Sequence, residues 1–530
     1  MRHIRTLLCV IIALLLFTPV HSFSEQSNQK IYQADHWAYD YTGYMPKTNL
    51  EDVVMVFKKE NTTIEISLDD FEGTIHNPKG AISYGNKELT NSDYLDVTTQ
   101  KWIDVKGKQG YLNKWTRKPL QHLTKAETYY ISIEVPLSET KLWSIMVKSD
   151  AAIHVDDILN RIYWPKDENY DPGYATIKKA NERIKPVVSL WNTFDDPETQ
   201  AFYTDQFGYK ESLKWGIFEP STIGSLKYLN QVEDKVQYEY QAVLQYYDLV
   251  TLPRISNLRE IYDQDKYIEL TLQTSIYSQF DGDKMFEVMD GKYDQEIDRL
   301  IDTIIELDQP VLFRPNNEMN GDWCSYNAMY YGKDASLYRD FWKFLYNRFE
   351  VAGADKVIWV WNANWGDFPE FKWNHYMKYW PGDQYVDLVG LTGYNTGNYY
   401  VGEKWASFEE IYYPMLIEYN KRFRGYPYII TEFGSSDVGG DKKAWMIDMM
   451  DKLKTLNVKL AIWWNGVDYD HKGKPARTYR FTHDEDLVNT MKDLLKDFED
   501  STYDVPSAPV PTDSTPETGD EAQTAPSDSK

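Results

Sequence analysis

Two glutamates stand where apolar runs end, and their neighbours make them the residues best placed to do chemistry. One lies within Pro310-Val311-Leu312-Phe313-Arg314-Pro315-Asn316-Asn317-Glu318-Met319-Asn320-Gly321-Asp322-Trp323, the other within Pro427-Tyr428-Ile429-Ile430-Thr431-Glu432-Phe433-Gly434. A carboxyl at the end of an apolar strand is costly unless it faces a polar cavity. Glycoside hydrolysis needs such a pair: a protonated carboxyl to donate to the leaving oxygen, and an ionised one to attack the anomeric carbon. A single glutamate would be read as a helix cap or a partner of Arg314. Two of them, each embedded among aromatic and amide side chains, point to a catalytic pair.

The elements that must position them repeat. Glu318 and Glu432 are 114 residues apart, three βα units of about 38 residues in a barrel with insertions. That spacing places them on strands 4 and 7, facing one another across the mouth. Between 200 and 500, short apolar runs alternate with amphipathic helices. The strand expectations are Leu213–Phe218, Gln241–Tyr246, Tyr267–Leu272, Val311–Glu318, Val357–Asn362, Val386–Thr392, Tyr426–Phe433 and Lys459–Asn465. Helices are expected at Tyr293–Leu307, Leu337–Val351 and Lys442–Leu456. Eight such units fit an α/β fold, a (β/α)8 TIM barrel, better than an open doubly wound sheet. No Gly-rich nucleotide loop follows the first strand. From 28 to 190 the texture differs. Alternating strand patterns at Asp52–Phe57, Thr63–Leu68, Tyr129–Val135 and Leu142–Val147, with a helix at Val155–Ile162, predict a smaller α+β or mostly β domain. Its Trp37, Trp102, Trp115, Trp143 and Trp164 are read as core rather than as a sugar-binding face.

The motif Arg-Pro-x-x-Glu-Met-Asn-Gly-x-Trp at 314–323, with a strand 7 glutamate, resembles glycoside hydrolase family 26. Trp359-Val360-Trp361-Asn362 and Tyr379-Trp380-Pro381-Gly382-Asp383 leading into Gly393-Tyr394-Asn395 extend the likeness over the barrel. The resemblance implies a retaining endo-β-glycanase, first of all an endo-β-mannanase, with Glu318 as acid/base and Glu432 as nucleophile. It further implies Arg314 near the nucleophile, Tyr394 donating to it, Trp323 lining the sugar site, and a strand 8 tryptophan beneath the sugar, Trp463 before Trp464. A cation and a phenol beside Glu432 would hold it as a carboxylate. Two positions depart from the family. Asn317 stands where His usually precedes the acid/base, and matches instead the wider clan of retaining barrels, where an amide bonds the sugar 2-hydroxyl. Gln273, at the strand 3 end, occupies a place where a mannanase often has His. The alternatives to β-mannan are therefore a mixed-linkage glucan, a β-1,3-xylan or a bacterial exopolysaccharide, and, from another class, a non-catalytic carbohydrate-binding envelope protein.

Composition narrows the partners. The chain has 530 residues, 82 acidic against 57 basic, a net charge of −25, and 15% aromatic residues. Such acidity argues against nucleic acid and anionic lipid as partners, whereas aromatic faces suit the C–H surfaces of sugars. The nine histidines form no close i, i+4 pair, and the acidic loops Asp281-Gly282-Asp283 and Asp468-Tyr469-Asp470-His471 are incomplete as calcium sites, so no metal or cofactor is expected. Residues 1–22 read as a secretory signal peptide, with Arg2 and Arg5 before the apolar run Leu7–Phe17. Removing it takes Cys9 and leaves Cys324 as a single, packed thiol. Residues 501–530, acidic and rich in Pro, Ser and Thr, read as a disordered tail. The expected protein is a secreted, extracellular monomer acting on a polysaccharide or oligosaccharide.

Overall fold

A computed structural model describes residues 30–47, 50, 52–123, 127–165, 177–178, 187–188, 194–276 and 280–499. The leader and tail expected from the sequence lie outside these residues. Eight parallel strands close into a barrel in chain order: β1 (Lys214–Phe218), β2 (Ala242–Asp248), β3 (Tyr267–Gln273), β4 (Val311–Pro315), β5 (Val357–Asn364), β6 (Leu388–Asn395), β7 (Tyr428–Ser435) and β8 (Val458–Trp464). Closure is made by β1 against β8, with Phe218 opposite Trp464. The connecting helices carry the stripes that bury them. Asp294–Leu307, for example, turns Ile297, Leu300, Ile301, Ile304 and Leu307 inward, a spacing of three and four residues that keeps one face apolar.

Strand alternation separates two apolar clusters. Leu244, Leu312, Ile358, Val360, Leu388, Ile429, Leu460 and Ile462 fill the barrel interior. The intervening residues, such as Phe313, Trp359, Trp361, Phe433 and Trp463, face the helices. Gly216 lies at the constricted floor, where a Cβ would come within 2.9 Å of both Ala242 and Ile462. Nearer the mouth the inward positions become polar: Glu269, Thr271, Arg314, Asn362, Thr392 and Thr431, all buried. β7 breaks the alternation once. Ile430 and Phe433 both face the helices, and the register slips between them. The extra residue turns both Thr431 and Glu432 toward the interior.

The N-terminal region is mostly β. Seven antiparallel strands run in the spatial order Met45–Pro46, Met55–Lys59, Thr62–Asp70, Lys141–Ser149, Tyr129–Pro136, Lys108–Arg117 and Leu95–Val105. One face packs Phe57, Ile64, Ile133, Trp143 and Ile145 beneath Trp37, Tyr39 and Trp164. Trp115 is buried too, but Trp102 is 46% exposed and stands apart from that core. The helix expected at Val155–Ile162 stops at Leu159, because Ile162 is taken up as a strand paired with Tyr39. The opposite, polar face of the sheet lies against the barrel. Glu65 sits between Lys378 (2.9 Å) and Lys148 (3.4 Å), and Lys148 also reaches Asp334 at 2.6 Å.

Candidate active site

Glu432 lies at the floor of the mouth, wrapped by four donors from three strands or their ends. Arg314 Nη1 reaches Oε1 at 2.9 Å and Asn317 Nδ2 reaches the same atom at 3.0 Å. The phenols of Tyr394 (2.7 Å) and Tyr246 both donate to Oε2. Arg314 is itself fixed by Thr271 Oγ1 at 2.8 Å, Asn362 Oδ1 at 3.0 Å and the buried Glu269 at 2.8 Å. Arg314, Tyr246, Tyr394, Thr271, Asn362 and Glu269 are inward by the parity of their strands, whereas Asn317 stands in the turn beyond β4. Burial pushes the Glu269 carboxyl up, to about 8; Arg314 opposes this and the nearby Glu432 charge adds to it.

Glu318 is placed differently from the sequence expectation. β4 ends at Pro315, so Glu318 stands in the turn beyond it, and both Asn316 (φ 50°) and Glu318 (φ 53°) adopt the left-handed conformation. For side-chain-bearing residues that conformation costs on the order of 1–3 kcal/mol and persists only where the surroundings impose it. Here Asn316 N–H donates to Leu272 O (2.8 Å), Glu318 N–H donates to Asn362 O (3.0 Å), and Asn316 Oδ1 accepts from Thr274 N–H (2.8 Å). The turn aims the Glu318 carboxyl back over the mouth, where the Asn364 amide donates to it and the Trp323 indole lies near enough to favour its charged form. Burial, and then the negative Glu432, push Glu318 up to about 8. One carboxyl thus holds its proton at neutral pH beside a second that is ringed by donors.

The amide pair is also brought together. Gln273 Nε2 donates to Asn317 Oδ1 at 2.9 Å, and Tyr326 OH donates to the Asn317 carbonyl at 2.8 Å, so Asn317 is locked with its NH2 toward Glu432. Trp323 is 49% exposed at the rim, beside Phe368 at 5.4 Å between ring centroids. The strand 8 expectation requires correction. Trp463 is wholly buried against Phe433, Trp445 and Phe481, its indole donating to Tyr479 O at 3.2 Å. It has the outward parity of Ala461. Trp464, with the inward parity of Leu460 and Ile462, lines the mouth instead, stacked on Phe218 at 5.0 Å and set edge-on to Tyr394 at 6.1 Å.

Sequence reasoning missed Tyr246, Asn364 and Glu269. Strand parity could have found all three: Tyr246 is two residues from inward Leu244, Asn364 two from Asn362, and Glu269 two from Thr271. Cys324 is buried and its thiol pushed up by that burial, as suits packing. Asp281 pairs with Lys284 at 3.0 Å and Asp468 with Arg477 at 3.1 Å, which occupies both acidic loops with cations. Among the described residues no group of three or more His, Cys, Asp or Glu could hold a metal ion, and no helix is long and apolar enough to cross a membrane.

The glycosyl hydrolase family 26 profile matches residues 227–425, from the helix before β2 to the approach to β7. It includes Glu318, whereas Glu432 lies beyond it. Endoglucanase H of Acetivibrio thermocellus is 28% identical over 213 residues, 39% of this chain and 22% of that protein. A mannan endo-1,4-beta-mannosidase of Bacillus subtilis is 31% identical over 152 residues, 27% of this chain and 36% of that protein. A beta-1,3-xylanase of an Alcaligenes species is 32% identical over 106 residues, 20% of this chain and 21% of that protein. The matches thus span roughly a third or less of each relative, and they fall on an eight-stranded barrel whose mouth holds two facing glutamates. Over residues 227–425, the greater part of its barrel, this chain matches glycosyl hydrolase family 26.

Proposed function

We propose that the protein is a secreted endo-β-glycanase that cleaves a polysaccharide with net retention, with β-mannan as its first substrate. The observation that carries this reading is the asymmetry of the two carboxyls: Glu318 raised to about 8, Glu432 held by Arg314, Asn317 and two phenols. In the first step a Glu432 oxygen attacks the anomeric carbon while Glu318 gives its proton to the departing glycosidic oxygen. The leaving sugar stacks on Trp323, and the retained sugar lies over Trp464. Forming the glycosyl ester consumes the Glu432 charge, which removes one of the two influences that raise Glu318. Its carboxyl therefore falls, and it takes a proton from the water that attacks the ester.

A second backbone sugar is favoured by one specific feature. Asn317, fixed by Gln273, presents its amide beside the nucleophile, where it would bond an equatorial 2-hydroxyl such as that of glucose. A β-glucan, as in the name of the Acetivibrio relative, is the reading to set against mannan. A reducing-sugar assay over mannan, mixed-linkage glucan, β-1,3-xylan and exopolysaccharides, repeated with Glu318→Ala and Glu432→Ala, tests both. Activity that survives either substitution removes that residue from its role. Binding without turnover on every glycan leaves a non-catalytic carbohydrate-binding protein.

A further inference from the structure

The loop that carries Glu318 and Trp323 is held from outside the barrel. Within the loop, Gly321 N–H donates to Glu318 O at 2.9 Å, and the Trp323 indole lies over Gly321, where a Cβ would come within 2.4 Å of the ring. Asp322, between them, is fixed by the phenol of Tyr84, from helix Pro78–Gly85 of the N-terminal domain. Further along, Gly332 packs against the Trp115 ring, where a Cβ would meet it at 3.2 Å. Lys333 Nζ lies 3.0 Å from Glu134 and donates to Asn86 Oδ1 at 2.8 Å, and Asp334 accepts from Lys148 at 2.6 Å. Lys333, Glu134, Lys148 and Asp334 are all buried, so these contacts are not a solvated brush between two independent modules. Buried pairs of this kind are costly to separate. One loop therefore carries the acid/base at one end and is clamped by a different domain at the other.

We propose that the N-terminal β domain is part of the catalytic apparatus: Tyr84 is a positioning residue that, through Asp322, sets Trp323 and Glu318 for protonation of the leaving oxygen. The proposal rests on the hydrolase reading. Tyr84 touches no substrate atom in this account. It acts by fixing the segment 321–323, against which the leaving sugar stacks and from which the proton is delivered. Loss of the phenol hydroxyl should then impair only those reactions that need a positioned acid and a bound leaving sugar. A substrate whose leaving group departs without a proton should be indifferent to it.

The experiment uses the full chain and two substrates of the same sugar. One is the polysaccharide that the wild type cleaves, the other a 2,4-dinitrophenyl β-oligosaccharide, whose phenolate leaves unprotonated. Tyr84→Phe should lower kcat/KM on the polysaccharide about tenfold, the scale of a hydrogen bond to a charged partner. It should change kcat/KM on the dinitrophenyl glycoside by less than about twofold, with the thermal midpoint unchanged. Tyr84→Phe combined with Asp322→Asn should lose no more than Asp322→Asn alone, because both remove the same bond. Equal losses on the two substrates, or no loss on the polysaccharide, would overturn the proposal while leaving the hydrolase reading in place, provided Glu318→Ala is impaired. A wild type that cleaves no glycan overturns both.

Discussion

The charge of Glu432 should be legible in the titration of Glu318. Burial is the larger influence on the Glu318 carboxyl and the Glu432 charge the second, together pushing it up to about 8. A retaining pair stands about 5.5 Å apart, and at an effective dielectric of about 20 two unit charges at that distance repel by about 3 kcal/mol. That is about two pK units, so Glu432→Gln should bring the Glu318 midpoint from about 8 to near 6, with burial supplying what remains above the ordinary glutamate range. The assay is an infrared titration of the protonated carboxyl band, identified as Glu318 by its loss in Glu318→Gln. A midpoint that moves by less than about half a unit would refute the close pairing, and with it the route by which one residue serves as acid and then as base. The sign extends to activity and stability. The proton is held below about pH 8, so kcat/KM should fall as pH rises through that value. The folded-state pKa is raised, so the stability it contributes is complete at low pH and lost as pH rises through about 8. Glu318→Gln should accordingly gain on the wild type in alkaline urea titrations.

Three further expectations follow from particular contacts. Trp463→Ala removes a fully buried indole and should cost about 3–5 kcal/mol in urea unfolding, whereas Trp464→Ala should cost less stability and raise KM for the glycan; the reverse pattern would contradict the strand parity. Tyr246→Phe and Tyr394→Phe each remove one hydrogen bond to the Glu432 carboxylate, and each should lower kcat/KM by roughly tenfold to a hundredfold, with little change in the thermal midpoint. Glu65→Ala leaves Lys378 and Lys148 without their shared carboxylate and should cost about 3–5 kcal/mol at neutral pH. Despite burial, those two lysines hold Glu65 well below the usual carboxylate range, so its contribution is present at neutral pH and should be lost only in strong acid, as urea midpoints across pH would show.

The meeting of Glu318 and Glu432 at the mouth was legible because strand ends in a parallel barrel leave a local trace: an apolar run, then polar residues that only a cavity can accommodate. The places of Arg314 and Tyr394 beside Glu432 were expected from the family resemblance that those motifs carry. What failed was parity. Two adjacent tryptophans on β8 differ only in which side of the strand they occupy, and one-residue register decides whether an indole lines the mouth or fills the core. Glu432 itself depends on a bulge that no local pattern in β7 announces. Glu318 reaches the mouth through two left-handed residues rather than as the last residue of a strand. The docking of the N-terminal domain was invisible for another reason. Its ion pairs join residues such as Lys148 and Asp334, or Glu65 and Lys378, that are 186 and 313 positions apart, and nothing in either segment alone names its partner.

The stereochemistry of the first product tests the central claim most directly. Proton NMR of the anomeric region, recorded within minutes of adding enzyme to a β-glycan oligosaccharide, distinguishes the newly formed β anomer from the α anomer before mutarotation mixes them. Double displacement through Glu432 predicts that the β anomer appears first. An α anomer appearing first would mean a single inversion by water, and would remove Glu432 from the role of nucleophile.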